Sequence, residues 1–234
     1  MALMVDVGAN YRVIVERIAL AAAKAGRQTR QVRLLAASKS QSLDAIRAAV
    51  GAGIALIGEN YVQEAKEKKH QLSDARVEWH MIGHLQRNKA QAALALFDVI
   101  ESLDNLALMR ELDKEAAKRN ITARTFVEVN LAGEESKTGI ARENVAGFLE
   151  EIAELGHVRV EGLMTVPPFR EDPEDVRPYF RELREMRDSL SSLNLPNIKL
   201  KELSMGMSHD FTVAIEEGAT IVRVGTTLFG PREK

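Results

Sequence analysis

Eight short segments rich in branched apolar residues recur along this 234-residue chain, each followed by a stretch of helical period, and that alternation leaves few folds open. The segments are residues 32–39, 54–59, 77–83, 97–101, 125–130, 160–166, 203–206 and 221–226. Val145, Phe148, Leu149 and Ile152 stand at i, i+3, i+4 and i+7, which predicts an amphipathic helix, and Gly156 is expected to close it in a left-handed conformation. Val176, Phe180, Leu183, Arg187 and Leu190 mark another helix with charges on its outer face. Tyr11, Ile14, Ile18 and Ala22 mark an additional helix before the first strand, ending near Gly26. A chain alternating strand and helix through eight strands buries both elements most readily as a closed parallel barrel with helices outside. The expected class is therefore α/β: one (β/α)8 TIM barrel with an extra N-terminal helix, spanning residues 1–234 as a single domain.

Size agrees, since 234 residues at 45% hydrophobic can bury a sizeable core yet leave no room for a second domain beside the barrel. The chain has no cysteine, which excludes disulfide and thiolate chemistry and fits a reducing compartment. The start, Met1-Ala2-Leu3-Met4-Val5-Asp6, lacks a basic region followed by an apolar block, and no apolar run approaches membrane-spanning length. The expectation is a soluble cytoplasmic protein with no membrane partner. Thirty-two Lys and Arg against 34 Asp and Glu give no excess of positive charge for nucleic acid. The run Lys66-Glu67-Lys68-Lys69-His70 reads as a solvated helix face.

Two places carry chemistry. Lys39 follows the apolar or small residues Leu34 to Ser38, so it leaves a buried strand at the barrel end where active sites of this fold collect. A lysine there is ordinarily a surface residue; one partly desolvated has a lowered pKa and can form a Schiff base. At the other end of the chain, Ser208 and the Gly225-Thr226 turn fall after the seventh and eighth strands, the usual phosphate site of such barrels. Ser208 is expected at a helix N-cap, where its hydroxyl either caps the helix or meets an anion.

Other patterns carry less. Ser208-His209-Asp210 holds the residue types of a hydrolase triad, but consecutive residues do not face one another. His80 and His84 on an extended chain are separated by roughly 13 Å, too far to share a metal. Asn120-Ile121-Thr122 fits a glycosylation sequon and reads as a helix end and turn.

Lys39 within Leu34-Leu35-Ala36-Ala37-Ser38-Lys39, Gly58-Glu59-Asn60-Tyr61-Val62-Gln63-Glu64, the run 79–89, Glu161-Gly162-Leu163-Met164-Thr165, and the tail from Ser204 to Arg232 resemble the pyridoxal 5′-phosphate homeostasis proteins. The match is ordered and runs from about Tyr11 to Arg232. The resemblance implies a barrel like the N-terminal domain of alanine racemase that holds pyridoxal 5′-phosphate as an internal aldimine and manages its supply without a known reaction. It implies that Lys39 holds the aldehyde, Arg223 faces the pyridine nitrogen, and Ser208, Gly225 and Thr226 bind the phosphate. Asn60, His84, Met164 and Ser204 would line the pocket, and Lys137 matches a family lysine linked to cofactor transfer, with pyridoxal-dependent apoenzymes as partners. It assigns no catalytic residue and no metal ligand. One departure is local: the family often has proline shortly after the lysine, where this chain has Ser40-Gln41-Ser42, so the shape of that loop is open.

Two further readings remain. A pyridoxal-dependent amino-acid racemase of the same fold would be expected to add a β-domain and a tyrosine from it, whereas Tyr11, Tyr61 and Tyr179 all precede the eighth strand. A phosphosugar isomerase would use the phosphate loops but leaves Lys39 without a clear role.

Overall fold

The computed structural model describes residues 5–134 and 137–231. Arg232 of the tail motif and residues 135–136 beside Lys137 lie outside the described residues. Strands β1 (Arg33–Ala37), β2 (Leu56–Glu59), β3 (Glu78–Met81), β4 (Val99–Leu103), β5 (Ala123–Asn130), β7 (Val158–Met164), β8 (Ile198–Met207) and β9 (Ile221–Val224) pair in parallel in the order β4-β3-β2-β1-β9-β8-β7-β5. Pairing of β4 with β5 closes the ring. A short strand β6 (Ile140–Ala141), which the sequence pattern did not predict, adds to the outside of β5. The architecture is the expected eight-stranded parallel barrel with surrounding helices.

Helices α2 (Leu43–Ala52), α3 (Val62–Gln71), α4 (Ala90–Leu96), α5 (Leu106–Lys118), α6 (Val145–Ile152), α7 (Arg177–Ser191) and α8 (Phe211–Glu216) follow successive barrel strands, and α9 (Thr226–Phe229) follows the last. The additional helix α1 (Val7–Lys24) precedes β1; Asp6 caps it, and Gly26 turns the chain away with φ +67°. Asn10 Nδ2 donates to Leu228 O, tying α1 to α9. Between strands and helices lies a shell in which Ile14, Ile57, Trp79, Phe180 and Phe211 are fully buried. Each such side chain contributes roughly 1.5–3 kcal/mol by leaving water.

The structure corrects some boundaries. β8 extends to ten residues because its N-terminal half pairs with β7 while Lys199 and Lys201 point to solvent. Gly156 does not close α6: the helix ends at Ile152, and Asn197 Nδ2 donates to the carbonyls of Ile152 and Leu155. A side chain from the loop before β8 thus satisfies the helix end without a left-handed glycine. The Lys66–His70 run is not wholly a solvated face, because Lys68 is buried. Among the described residues no helix is long and apolar enough to cross a membrane.

Candidate functional site

Alternation along each strand sends one set of side chains into the barrel and the other beneath the helices. Leu35, Leu56, Val99, Phe126, Met164 and Ile221 make the apolar middle of the interior. Below them, at the N-terminal ends of the strands, Arg33 pairs with Glu202 at 3.1 Å, and Arg124 pairs with Glu78 at 2.7 Å and Glu161 at 2.8 Å. Above them is the mouth formed by the C-terminal ends.

A polar column crosses the apolar middle. His80 Nδ1 lies 2.5 Å from Glu101 Oε1, and its Nε2 is 3.6 Å from Glu78 Oε1, an ion-pair distance rather than a hydrogen bond. Ser204 Oγ donates to Glu101 Oε2 at 2.5 Å and accepts from Arg223 Nη1 at 2.7 Å. Arg223 Nη2 donates to Thr165 O at 2.8 Å. Burial alone would lower the His80 pKa, but the bond to Glu101 and the charges of Glu101 and Glu78 outweigh it and raise the value to about 9. Burial likewise opposes ionisation of Glu101, yet its bond to His80, the charges of His80 and Arg223, and the bond from Ser204 hold its carboxyl below the usual range. Burial pulls the Arg223 guanidinium down against Glu101, Glu128 and Asp210; a guanidinium remains a cation regardless. The column therefore presents a fixed positive charge beneath the mouth.

Lys39 is half-buried just beyond β1, on the alternation that turns Leu35 inward and Ser38 outward. β1 and β9 are neighbours, with Leu35 opposite Arg223 and Ala36 opposite Val224, so the lysine and arginine rise from adjacent strands. The turn after β9 completes this side. Ser208 Oγ accepts from the amides of Gly225 at 3.2 Å and Thr227 at 3.4 Å, and Thr227 Oγ1 donates to Ser208 O at 3.3 Å. Ser208 is not an N-cap: Asp210 occupies that position in α8, its Oδ1 accepting from Met207 N at 2.6 Å. The hydroxyl instead bridges to the start of α9. A Cβ on Gly225 would meet only Ala37, at ordinary contact distances of 3.4 and 3.6 Å, so internal packing does not demand glycine there. Its absent side chain leaves the backbone approachable from the mouth, as an anion cradle needs.

The other expected residues divide. Asn60, His84 and Lys137 line one recess of about 330 Å³ with Glu128 and Thr138. Asn60 Oδ1 is buried and accepts no hydrogen bond from the described residues. Lys137 pairs with Glu134 at 2.9 Å. His84, half-exposed, sits 3.1 Å from Asp104, so His80 and His84 engage separate carboxylates. Burial raises the Glu128 carboxyl despite the bond from Thr138. Met164 is packed in the apolar middle and Ser204 within the polar column, so both lie beneath the mouth rather than around it. Thr226 is exposed. A larger recess of about 610 Å³ opens to the side and shares Asn60 and His84; Lys39 and Arg223 are not among its walls.

The pyridoxal phosphate homeostasis protein of Aquifex aeolicus is 50% identical over 220 residues, covering 94% of this chain and 96% of that protein. This chain belongs to the pyridoxal phosphate homeostasis protein family. The protein of that name from Escherichia coli K12 matches this family member at 34% identity over 233 residues, 98% of each chain. The alanine racemase N-terminal domain family matches residues 10–233. Among solved structures, PipY of Synechococcus elongatus PCC7942, with pyridoxal phosphate bound, superposes with a TM-score of 0.81 at 37% identity, covering 93% of this chain and all of that one. An alanine racemase of Clostridium difficile 630 superposes at 0.73 with 13% identity over 57% of its own length and shares the barrel fold.

Sequence reasoning about this homeostasis-family barrel missed His80 with Glu101, and Thr227. A signal for the first pair existed: a carboxylate and an imidazole on the inward alternation of otherwise buried strands need each other. Nothing in the local pattern distinguished Thr227 from Thr226.

Proposed function

We propose that this chain binds pyridoxal 5′-phosphate at the barrel mouth and takes part in cytoplasmic supply of that cofactor, without substantial turnover of its own. The observation that carries the reading is the adjacency of β1 and β9, which sets Lys39, Arg223 and the Ser208-bridged turn side by side in a chain 50% identical to a protein of that named role. Bound there, the cofactor supplies an electrophilic aldehyde and an electron-accepting ring. The neutral amine of Lys39 condenses with the aldehyde, releasing one water and reversibly forming a carbon–nitrogen double bond. Arg223, a permanent cation, faces the pyridine nitrogen and disfavours a second positive charge on it, which keeps the ring less activated. Ser208 Oγ and the amides of Gly225, Thr226 and Thr227 hold the phosphate. Ser204 and Met164 act from below, one orienting Arg223 and the other filling the space under the ring. Asn60 and His84 border the approach, and Lys137 across the mouth receives the aldehyde during transfer to apoenzymes. Borohydride reduction of the loaded protein followed by peptide mass mapping tests the reading: a pyridoxyl group on Lys39 is the expected result, and a labelled peptide lacking Lys39 overturns it.

A further inference from the structure

Lys68 sits inside a sequence run that looks solvated, yet it is 6% exposed. Its ammonium carries three protons and meets three acceptors, Ser38 O, Glu59 Oε1 and Glu64 Oε1, each at 2.6 Å. The same carboxylate oxygens take one more bond each. Ser38 Oγ donates to Glu59 Oε1 at 2.6 Å, and the Ser40 amide donates to Glu64 Oε1 at 2.6 Å. Both residues flanking Lys39 are therefore tied to one ion cluster built from β2 and α3.

The tie holds an unfavourable backbone. Ser40 has φ +61°, a left-handed conformation that costs a residue bearing a Cβ, and Gln41 N donates to Ser38 O at 3.0 Å to close the turn. The loop Ser38–Gln41 is thus shaped by side chains from the neighbouring strand and helix. Glu59 is wholly buried, and its second oxygen, Oε2, accepts no hydrogen bond from the described residues. Such a group is retained at a cost to stability, which calls for a positional role.

We propose that Lys68, Glu59 and Glu64 form the positioning device of Lys39, clamping the Ser38–Ser40 turn in the form that keeps the lysine amine at the mouth. The inference rests on Lys39 holding the aldehyde. Loosening the clamp lets the turn relax from its left-handed form, so the amine reaches the aldehyde less often while the phosphate cradle on the β9 side is untouched. Only the step in which the carbon–nitrogen bond forms and water leaves is affected.

The test compares pyridoxal 5′-phosphate with pyridoxine 5′-phosphate, which has an alcohol in place of the aldehyde, on the full chain and on Lys68→Met and Glu64→Ala variants. The expected result is a loss of about tenfold in affinity for the aldehyde form, with less Lys39 fixed by borohydride and unchanged affinity for the alcohol form. Adding Ser40→Gly to Glu64→Ala, which removes the left-handed penalty, recovers most of the loss. Equal losses for both ligands, or none for either, overturn the proposal. Should Lys68→Met fail to fold, Glu64→Ala decides alone, since that side chain is partly exposed and its removal leaves the Lys68–Glu59 pair intact. Lys39→Ala separates the two levels: if it binds both ligands as the unaltered chain does, the aldehyde assignment fails; if it loses only the aldehyde preference while the clamp variants keep theirs, the positioning proposal alone falls.

Discussion

At the floor of the barrel Arg33 and Arg124 meet Glu202, Glu78 and Glu161 within 3.1 Å, and their charges are spent on one another. At the mouth, Arg223 is held from beneath by Ser204 and Thr165, Asn60 keeps a buried oxygen without a donor among the described residues, and burial raises Glu128. Both ends are charged, yet one is internally satisfied and the other is not. The contrast follows from the geometry of parallel barrels: the loops after the strand C-termini are the ones that approach a ligand, whereas the opposite end serves stability. The polar column from Glu78 to Arg223 links the two.

The comparison breaks most visibly at Lys39. Lys39→Ala should abolish borohydride fixation of the cofactor while leaving thermal stability near that of the unaltered chain; persistent labelling at another lysine would move the aldehyde site elsewhere in the mouth. Next in size, Ser208→Ala should weaken pyridoxal phosphate by about tenfold or more, because a charge-assisted bond to a phosphate contributes roughly 1.5–3 kcal/mol. Equilibrium titration checks this, and pyridoxal without phosphate should be insensitive to the same change.

The column gives an intermediate effect with a defined sign. His80 has a folded pKa of about 9 against roughly 6.5 unfolded, so its charge stabilises the fold fully below the lower value and ceases to do so as pH rises through the higher one. Chemical denaturation at pH 7 and pH 10 should show a loss of about 2 kcal/mol over that window. His80→Gln should be less stable at pH 7 and lack this component of the alkaline decline. The opposite sign holds for Glu78, lowered to about 2 by His80 and Arg124: its contribution is present above its unfolded value and lost as pH falls through about 2. The smallest effect belongs to the floor, where Arg124→Met should cost under about 1 kcal/mol, since partly exposed pairs are screened by water. Ligand affinity should not move; a large affinity loss would mean that the floor and mouth are coupled through the column.

Much of this molecule is legible in its sequence. Lys39 could be located because it ends an apolar segment whose type and direction are local properties, whereas Arg223 was reached through the family resemblance. Ser208 could be located but not given its partners: its hydroxyl meets Gly225 and Thr227 across 17 and 19 positions of chain. Lys68 was misread for the same reason, since charge pattern records composition and not which face a turn of helix presents. Gly156 was misread because a distant side chain, Asn197, had already satisfied the helix end.

Periodicity of apolar residues determined the barrel, since strand and helix periods are set by backbone geometry and a chain alternating them eight times closes most readily into a ring. The motifs determined where an amine, a guanidinium and a phosphate turn would lie along the chain. Only the tertiary structure decided how Arg223, Ser204, Glu101 and His80 join, and how Lys68 reaches Ser38 directly and Ser40 through Glu64. The physical reason is range: a hydrogen bond requires about 3 Å between atoms whatever their separation in sequence, and that distance is set by the closed register of the strands.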